Sequence, residues 1–298
     1  MRLTKQFLAL ALVIFTFTSC TNAQNKEVKI EIHQLTERIY MLTGQGGNIG
    51  LFIGDDGVFM IDDQYAPLSP KILAAIKTIT NKPVSYLINT HWHGDHTGGN
   101  ENMQKVGATI IAHENVRKRM SKDNMLLGKI KPASPKEALP VITFTDDMMF
   151  HINGDDVLVS HVHNAHTDGD SFVYFSKNNV IHMGDLYFQG KFPFIDLDSG
   201  GSIDGYINAV NKILMIANDT TKIIPGHRNI SNKSELTVFK NMLVSIRSLV
   251  QSEIDKGKML EEVTHNTELT KEFNSEYGGW FITDDVFRAT VYKSLNAK

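Results

Sequence analysis

The sequence predicts an α/β fold in which two mixed β-sheets lie face to face and helices cover the outer faces. Each half of the chain contains a cluster of short apolar segments with the alternation of β-strands. Segments with helical spacing lie between these clusters and after the second one, which is the order expected of two packed sheets with helices outside. Because no linker-like stretch separates the halves, we predict a single domain over residues 28–298.

The elements of the first half follow one another closely. Asp56-Gly57 predicts the turn of a hairpin, and three prolines predict a loop before residue 140. In chain order we expect alternating strand residues at 28–42, the hairpin at 47–62, a helix at 71–80, a buried strand at 83–90, a short helix at 100–107, a strand at 108–114, and a helix followed by a loop within 114–140.

The second half repeats this rhythm of strands followed by helices. Ser202 is expected to cap the first long helix of this half. The predicted elements are strands at 148–154, 156–163, 170–176 and 178–185, a helix at 202–217, a strand at 221–227, and helices at 234–257 and 283–295.

The amino-terminal residues predict export. Arg2 and Lys5 precede an apolar run from Phe7 to Phe17, which is too short to span a bilayer and has the length of a signal-peptide core. We expect residues 1–19 to be a signal peptide of the lipoprotein type, with lipidated Cys20 as the mature start and membrane anchor. Cleavage before Gln24 by ordinary signal peptidase is the alternative. Either route predicts the bacterial periplasm or its membrane surface.

Composition limits the partners and the ligands of the folded domain. Cys20 is the only cysteine, so the domain has neither a disulfide nor a thiolate metal ligand. Loss of Arg2 and Lys5 with the signal peptide moves the formal net charge from −3 to −5. Nucleic acids are bound mainly by clustered Lys and Arg, so we expect a small-molecule substrate and no nucleic acid. The oligomeric state is left open by the sequence.

The segment from Asn89 to Asn100, NTHWHGDHTGGN, predicts a metal site. Alternation along the preceding strand places His91 and His93 on one side, and Gly94 permits a turn that brings Asp95 and His96 beside them. Imidazole and carboxylate are ligands for divalent metals. Further ligand types follow apolar strands at His166, Asp185 and His227, each beside a glycine or within a glycine-containing motif.

The motifs HWHGDH, AHTDGD, MGD and PGH, in this order, resemble those of the metallo-β-lactamase-fold hydrolases. The resemblance covers most of the chain after residue 28 and implies an αββα sandwich with two metal ions, usually zinc, at one edge of the sheets. It implies that His91, His93 and His166 hold one metal and that Asp95, His96 and His227 hold the other, with Asp185 bridging. Asp62 matches an aspartate that orients the histidine loop.

Two divalent ions close together lower the pKa of a bridging water, so the expected nucleophile is a metal-bridging hydroxide oriented by Asp95. The expected reaction is hydrolysis of an ester, lactone, thioester or amide. For the substrate pocket we expect an apolar wall that includes Phe188 and Phe192, with Tyr187 and Phe194, and a cation, Arg228 or Lys191, that pairs with a substrate carboxylate. A core position for these aromatic rings is the alternative.

Two positions of this chain differ from the best-known β-lactamases and limit the substrates that we expect. The best-known β-lactamases use a cysteine for the second metal and a lysine shortly after it, where this chain has Asp185 and Phe188. We therefore expect β-lactam hydrolysis only as a weak side activity. Iron or manganese also accept these ligands. The alternative functions are a mononuclear-iron oxidoreductase of the same fold and a non-enzymatic zinc-binding envelope protein; His163 is an alternative metal ligand beside His166.

Overall fold

The structure, a computed structural model, describes residues 27–297. The predicted signal peptide and Cys20 lie outside the described residues. Among the residues that are described, no helix has the length and apolar character needed to cross a membrane.

Two sheets form the centre of the structure. The first has the order β1-β2-β3-β4-β5-β6-β9, and the second has the order β10-β11-β12-β13-β14-β15. In chain order the strands are β1 (Glu31–Gln34), β2 (Ile39–Thr43), β3 (Ile49–Gly54), β4 (Gly57–Ile61), β5 (Val84–Asn89), β6 (Thr109–His113), β7 (Asn124–Leu126), β8 (Lys129–Lys131), β9 (Ile142–Phe144), β10 (Asp147–Ile152), β11 (Asp155–His161), β12 (Ser171–Phe175), β13 (Val180–Phe188), β14 (Lys222–His227) and β15 (Ser231–Asn232).

Both sheets are mixed. Strands β1 to β4 pair antiparallel, whereas β4, β5, β6 and β9 pair parallel. In the second sheet only β13 and β14 pair parallel. The helices are α1 (Ser69–Ile79), α2 (Gly94–Thr97), α3 (Asn100–Lys105), α4 (Glu114–Met120), α5 (Ile203–Ile216), α6 (Lys233–Asp255), α7 (Leu260–His265), α8 (Asn274–Tyr277) and α9 (Asp284–Asn296).

The sheets pack face to face through apolar side chains that alternate along their strands. Phe52 of β3 meets Phe175 of β12 edge to face, with ring centroids 5.2 Å apart, and Phe59 of β4 also contacts Phe175. Ile72 and Ile76 of α1 cover the outer face of the first sheet. Helices α5, α6 and α9 cover the outer face of the second sheet. The fold is therefore the αββα sandwich that the sequence predicted.

Most predicted elements are confirmed close to their predicted bounds. Ser202 caps α5 by accepting a hydrogen bond from the backbone N–H of Gly205 at 3.0 Å. The predicted hairpin turn is also present, although its two loop residues are Asp55 and Asp56, because Gly54 pairs with Gly57. The strand predicted to end at residue 185 continues to Phe188 as β13.

The predicted loop before residue 140 contains a two-stranded hairpin, β7 and β8, that the sequence analysis missed. Its turn residues Leu127 and Gly128 both have positive φ, 50° and 73°. Such turns favour Asn-Gly or Asp-Gly, and a leucine at the first position hides the usual signal. The short helices α7 and α8 were missed as well, because segments of four to six residues carry too few turns to show a helical period.

We expect Phe175→Ala to lower the free energy of unfolding by about 3–5 kcal/mol, because the ring is fully buried between the sheets and its removal leaves a cavity. Chemical denaturation of the purified protein measures this change. Met215→Ala, at a position that is 81% exposed, is the control and should change stability by less than about 0.5 kcal/mol. Equal stabilities of the two variants would contradict the packing described here.

Candidate metal centre

The histidine-rich segment turns at the carboxyl end of β5 and places its side chains on two sides. His91 and His93 face the cleft between the sheets' edges, whereas Trp92 packs in a separate apolar cluster with Val116 and Met120. The backbone then enters α2, where the N–H of Thr97 bonds to the carbonyl of His93 at 3.0 Å. This helical turn brings Asp95 and His96 round to the same cleft, as the alternation and Gly94 predicted.

The structure gathers the predicted ligands into two adjacent groups. The first consists of His91, His93, His166 and Asp185, all buried. His93 Nδ1 lies 2.9 Å from His166 Nε2. The Oδ2 atom of Asp185 lies 3.7 Å from His91 Nε2 and 3.5 Å from His166 Nε2.

The second group consists of Asp95, His96 and His227. Its imidazoles lie close to the other oxygen of Asp185, since Oδ1 is 3.0 Å from His96 Nε2 and 3.3 Å from His227 Nε2. Asp95 Oδ2 is 3.3 Å from His227 Nε2 and 3.5 Å from His96 Nε2. The two oxygens of Asp185 therefore face different groups, which is the arrangement of a bridging carboxylate.

Each imidazole of the histidine loop is held by a partner behind it. His96 Nδ1 donates to Asp62 Oδ2 at 2.7 Å, and His93 Nε2 donates to Asp196 Oδ2 at 3.0 Å. His91 Nδ1 is 3.0 Å from the hydroxyl of Thr90, which itself donates to Asp62. A donor bond on one ring nitrogen leaves a lone pair on the other nitrogen. In the neutral form of each ring, the nitrogen that carries the lone pair faces the other candidate ligands.

These orientations fit a cation in each group. His166 Nδ1 donates to the carbonyl of Phe194 at 2.7 Å, so His166 Nε2 and His93 Nδ1 direct lone pairs at each other across 2.9 Å. Within residues 27–297, the buried atoms His91 Nε2, His96 Nε2 and Asp185 Oδ1 make no well-aligned hydrogen bond, although the last two lie 3.0 Å apart. Buried polar atoms without partners are costly. A divalent metal between such nitrogen and oxygen atoms satisfies them, and nitrogen and oxygen donors suit zinc, iron and manganese.

The electrostatics divide the imidazoles into two sets, because burial keeps His91 and His93 neutral, whereas the carboxylates outweigh burial and raise the pKa of His96 and His227. Burial lowers the pKa of His91 well below its usual value and lowers the pKa of His93 to about 4, so both rings are neutral as ligands require. Burial opposes ionisation of Asp185, but the neighbouring imidazoles, His96 foremost, outweigh it and hold its pKa well below the usual value. For His227, the charges of Asp185 and Asp95 outweigh burial and raise the pKa to about 9. The carboxylates thus attract positive charge.

Two positions of the site require glycine, because the backbone there lies very close to a ligand side chain. A Cβ atom at Gly226 would lie 2.0 Å from Asp185 Oδ1, and one at Gly47 would lie 2.1 Å from the ring of His96. No side chain fits at either position. Asn48 fixes the loop after Gly226 by donating to the carbonyls of Pro225 and Arg228, each at 2.9 Å.

Asp62 occupies the orienting position that the resemblance implied. It is fully buried and accepts from the backbone N–H and the hydroxyl of Thr90, each at 2.8 Å, besides its bond from His96. Asp196 was missed by the sequence analysis, although it plays the same part for His93. Its only sequence signal is an acidic residue after an apolar triplet, which is too common to single it out.

The predicted substrate residues divide into two sets. Phe188 stacks on His227 with ring centroids 5.2 Å apart, so it lies beside the ligands, although its side chain is itself buried. Phe192 does not line the cleft, because it is fully buried and stacks on Phe287 of α9. Tyr187 is also buried in the core, where its hydroxyl contacts Ser231. The chain leaves β13 after Phe188, so the strand alternation that would place Phe188 and Phe192 on the same face no longer applies.

The two predicted cations also differ. Lys191 Nζ donates to the carbonyl of Gly278 at 2.5 Å, which ties it to the C-terminal segment. Arg228 is exposed and has φ of 82°. His163 stays outside both ligand groups, is exposed, and contacts the ring of His161.

Two aromatic residues of the C-terminal part also lie at the site, although no sequence pattern predicted them there. Trp280 lies 5.3 Å from His227 and 5.5 Å from Phe188, measured between ring centroids. Phe281 contacts Phe194, whose ring in turn stacks on His93 at 5.7 Å. No spacing rule links residues 280 and 281 to a loop that begins almost two hundred residues earlier.

Comparisons with known proteins agree with this geometry. The family model of the metallo-beta-lactamase superfamily matches residues 42–227. A hydroxyacylglutathione hydrolase from Pelagibacter ubique is 25% identical over 193 residues, which are 61% of this chain and 70% of that protein. A metallo-beta-lactamase type 2 from Elizabethkingia meningoseptica is 24% identical over 227 residues, which are 73% of this chain and 86% of that protein.

A solved metallo-beta-lactamase from Pontibacter korlensis has the same fold, with a TM-score of 0.62 at 19% identity over 72% of this chain and 99% of that one. The matched residues 42–227 include both ligand groups and Asp62. The motif-based resemblance is thereby confirmed. This chain belongs to the metallo-beta-lactamase superfamily and is a metal-dependent hydrolase of that superfamily.

Proposed function

We propose that the protein is an exported di-zinc hydrolase that cleaves the ester, lactone, thioester or amide bond of a small molecule. The observation that carries this proposal is Asp185, whose two oxygens face separate groups of imidazoles. A closed structural zinc site uses four protein ligands around one metal. Two groups that share one carboxylate are instead typical of a two-metal catalytic site.

Each candidate ligand is assigned to one zinc ion or to both. His91, His93 and His166 would hold one zinc ion, Asp95, His96 and His227 would hold the other, and Asp185 would contact both. When bound, the two ions supply Lewis acidity towards a carbonyl and lower the pKa of a water towards neutrality. Manganese or iron would fit the same donors.

Asp95 is the residue best suited to orient the attacking water. Its side chain keeps 22% of its surface exposed and so remains accessible from the cleft. Burial opposes its ionisation, yet His96 and His227 lower its pKa to about 2, so it stays an ionised hydrogen-bond acceptor. An acceptor held beside the scissile bond aligns the water's lone pair with the carbonyl.

Support for the bond type comes from the chain and from its relatives. Asp185 stands where the best-known β-lactamases have a cysteine, so we propose β-lactam hydrolysis as a weak side activity only. The relative named hydroxyacylglutathione hydrolase supports a thioester or ester as the main class. Arg228, exposed and adjacent to His227, is the cation that we propose for a substrate carboxylate.

The metal assignment predicts about two zinc ions per chain by elemental analysis of the purified protein. We expect His166→Ala to lose zinc and to lower kcat/KM on ester or lactone substrates at least 100-fold. Removal of a residue that only hydrogen-bonds a metal ligand typically lowers metal affinity or activity 10- to 100-fold, and removal of the ligand itself should have a larger effect. His163→Ala is the matched control and should keep both metal content and activity. One iron per chain without hydrolysis would favour the oxidoreductase, and zinc without any turnover would favour a binding protein.

We expect Asp62→Ala to weaken zinc affinity by about 10- to 100-fold, because His96 loses the acceptor that fixes its tautomer and ring position. Competition with a chromogenic chelator measures this affinity. Asp55→Ala, at a fully exposed aspartate of the β3–β4 turn, is the control. Unchanged affinity in Asp62→Ala would show that Asp62 does not position the site.

Export and anchoring are a separate proposal that rests on residues 1–23. We infer that Cys20 becomes the lipidated first residue of the mature chain. We expect wild-type protein in the membrane fraction of expressing bacteria and Cys20→Ala in the periplasmic fraction, and mass spectrometry of the mature amino terminus should show the lipid. A mature chain that begins at Gln24 would refute lipidation and leave export intact.

A further inference from the structure

A continuous arc of aromatic rings connects the two ligand groups. Starting from His93, the ring contacts run through Phe194 and Phe281 to Trp280, with centroid distances of 5.7, 6.1 and 4.6 Å. Trp280 then contacts His227 of the second group at 5.3 Å. We call Phe188, Phe194, Trp280 and Phe281 the aromatic arc; Phe188 closes it by contacting both Trp280 and His227.

Half of this arc comes from a part of the chain that the family model does not match, because the match ends at residue 227. The segment 278–281 lies between two buried residues, Tyr277 and Ile282, which fix its ends in the core. The segment is also tied to the loop after β13. The N–H of Phe192 donates to the carbonyl of Tyr277 at 3.0 Å, and Lys191 Nζ donates to the carbonyl of Gly278.

The exposed part of the arc, Trp280 and Phe281, indicates a ligand, whereas Phe188 is buried behind it. Phe281 remains 50% exposed and Trp280 is only partly covered, although both are large apolar side chains next to buried polar ligands. Lys191 and the core contacts hold the segment in this position, so the exposure is maintained by specific bonds. Apolar surface beside a polar reaction centre is typical of substrate pockets, where apolar walls bind and a few polar groups orient.

We propose that the aromatic arc is an apolar subsite that binds the acyl group of the substrate, and that Trp280 and Phe281 determine specificity for esters or lactones with extended apolar acyl groups. This inference rests on the proposed hydrolase function. Aromatic faces accept aliphatic chains and rings without specific polar partners. Because one side of the arc stays open to water, each added methylene of the acyl group is only partly buried. Each methylene should therefore raise kcat/KM about twofold, which is less than the roughly fourfold increase expected for complete burial.

The first test uses a series of p-nitrophenyl esters from acetate to octanoate with the zinc-loaded full-length protein. We expect kcat/KM to rise by about twofold per methylene, mainly through a lower KM. Phe281→Ala and Trp280→Ala should flatten this dependence, measured within each variant as the ratio of kcat/KM for octanoate to kcat/KM for acetate. Met215→Ala is the control for loss of an exposed apolar side chain elsewhere. An unchanged chain-length dependence in both arc variants would overturn the subsite.

The second test measures binding without turnover. Trp280 is one of two tryptophans, and the other, Trp92, is buried in a separate cluster. Titration with octanoate should change the intrinsic fluorescence of the wild type at much lower concentration than acetate does, and Trp280→Phe should lose the signal. Chain-length-dependent binding without hydrolysis of any ester would refute the proposed function and retain the subsite. Hydrolysis with equal binding of octanoate and acetate would refute the subsite and retain the function.

Discussion

The site depends on one buried carboxylate among imidazoles. Asp185 lies within β13, a strand buried along its whole length, and an ionised group in such a place is unstable without compensating charge. His91 and His166 face one of its oxygens, and His96 and His227 face the other. The two proposed metal positions follow from this division, because each oxygen faces its own group of imidazoles.

Asp185 constrains the backbone around it as well as the side chains. Gly226 is needed because a side chain there would collide with the carboxylate, and Gly184, at φ of 52°, allows β13 to change direction directly before Asp185. The pairing of β13 with β14 shifts register on both sides of Gly184. Irregular strand pairing near functional groups re-aims side chains, and here it turns the carboxylate towards the edge of the sheets.

The orientation of the imidazoles joins distant parts of the chain. Asp62 follows β4 in the first sheet and fixes His96, whereas Asp196 follows β13 in the second sheet and fixes His93. The loop that contains Asp196 continues from the segment bonded to Tyr277 and Gly278, which holds the aromatic arc in place. The metal centre and the proposed acyl subsite therefore share their supports. Arg288, buried and bonded to Thr264 and Asp284, in turn fixes the helices that flank the C-terminal segment.

The sequence by itself determined the layered fold and predicted the candidate metal ligands. Alternating strands report burial directly, and the histidine loop, Asp185 and His227 each follow an apolar segment and include or adjoin a glycine, so local spacing marked them as candidates. Local spacing does not report which side chains meet across the two sheets. Asp196 behind His93, the removal of Phe192 into the core, and the arrival of Trp280 at His227 were decided only by the tertiary structure. These contacts join residues far apart in the chain, and their positions depend on how the C-terminal helices pack against the second sheet.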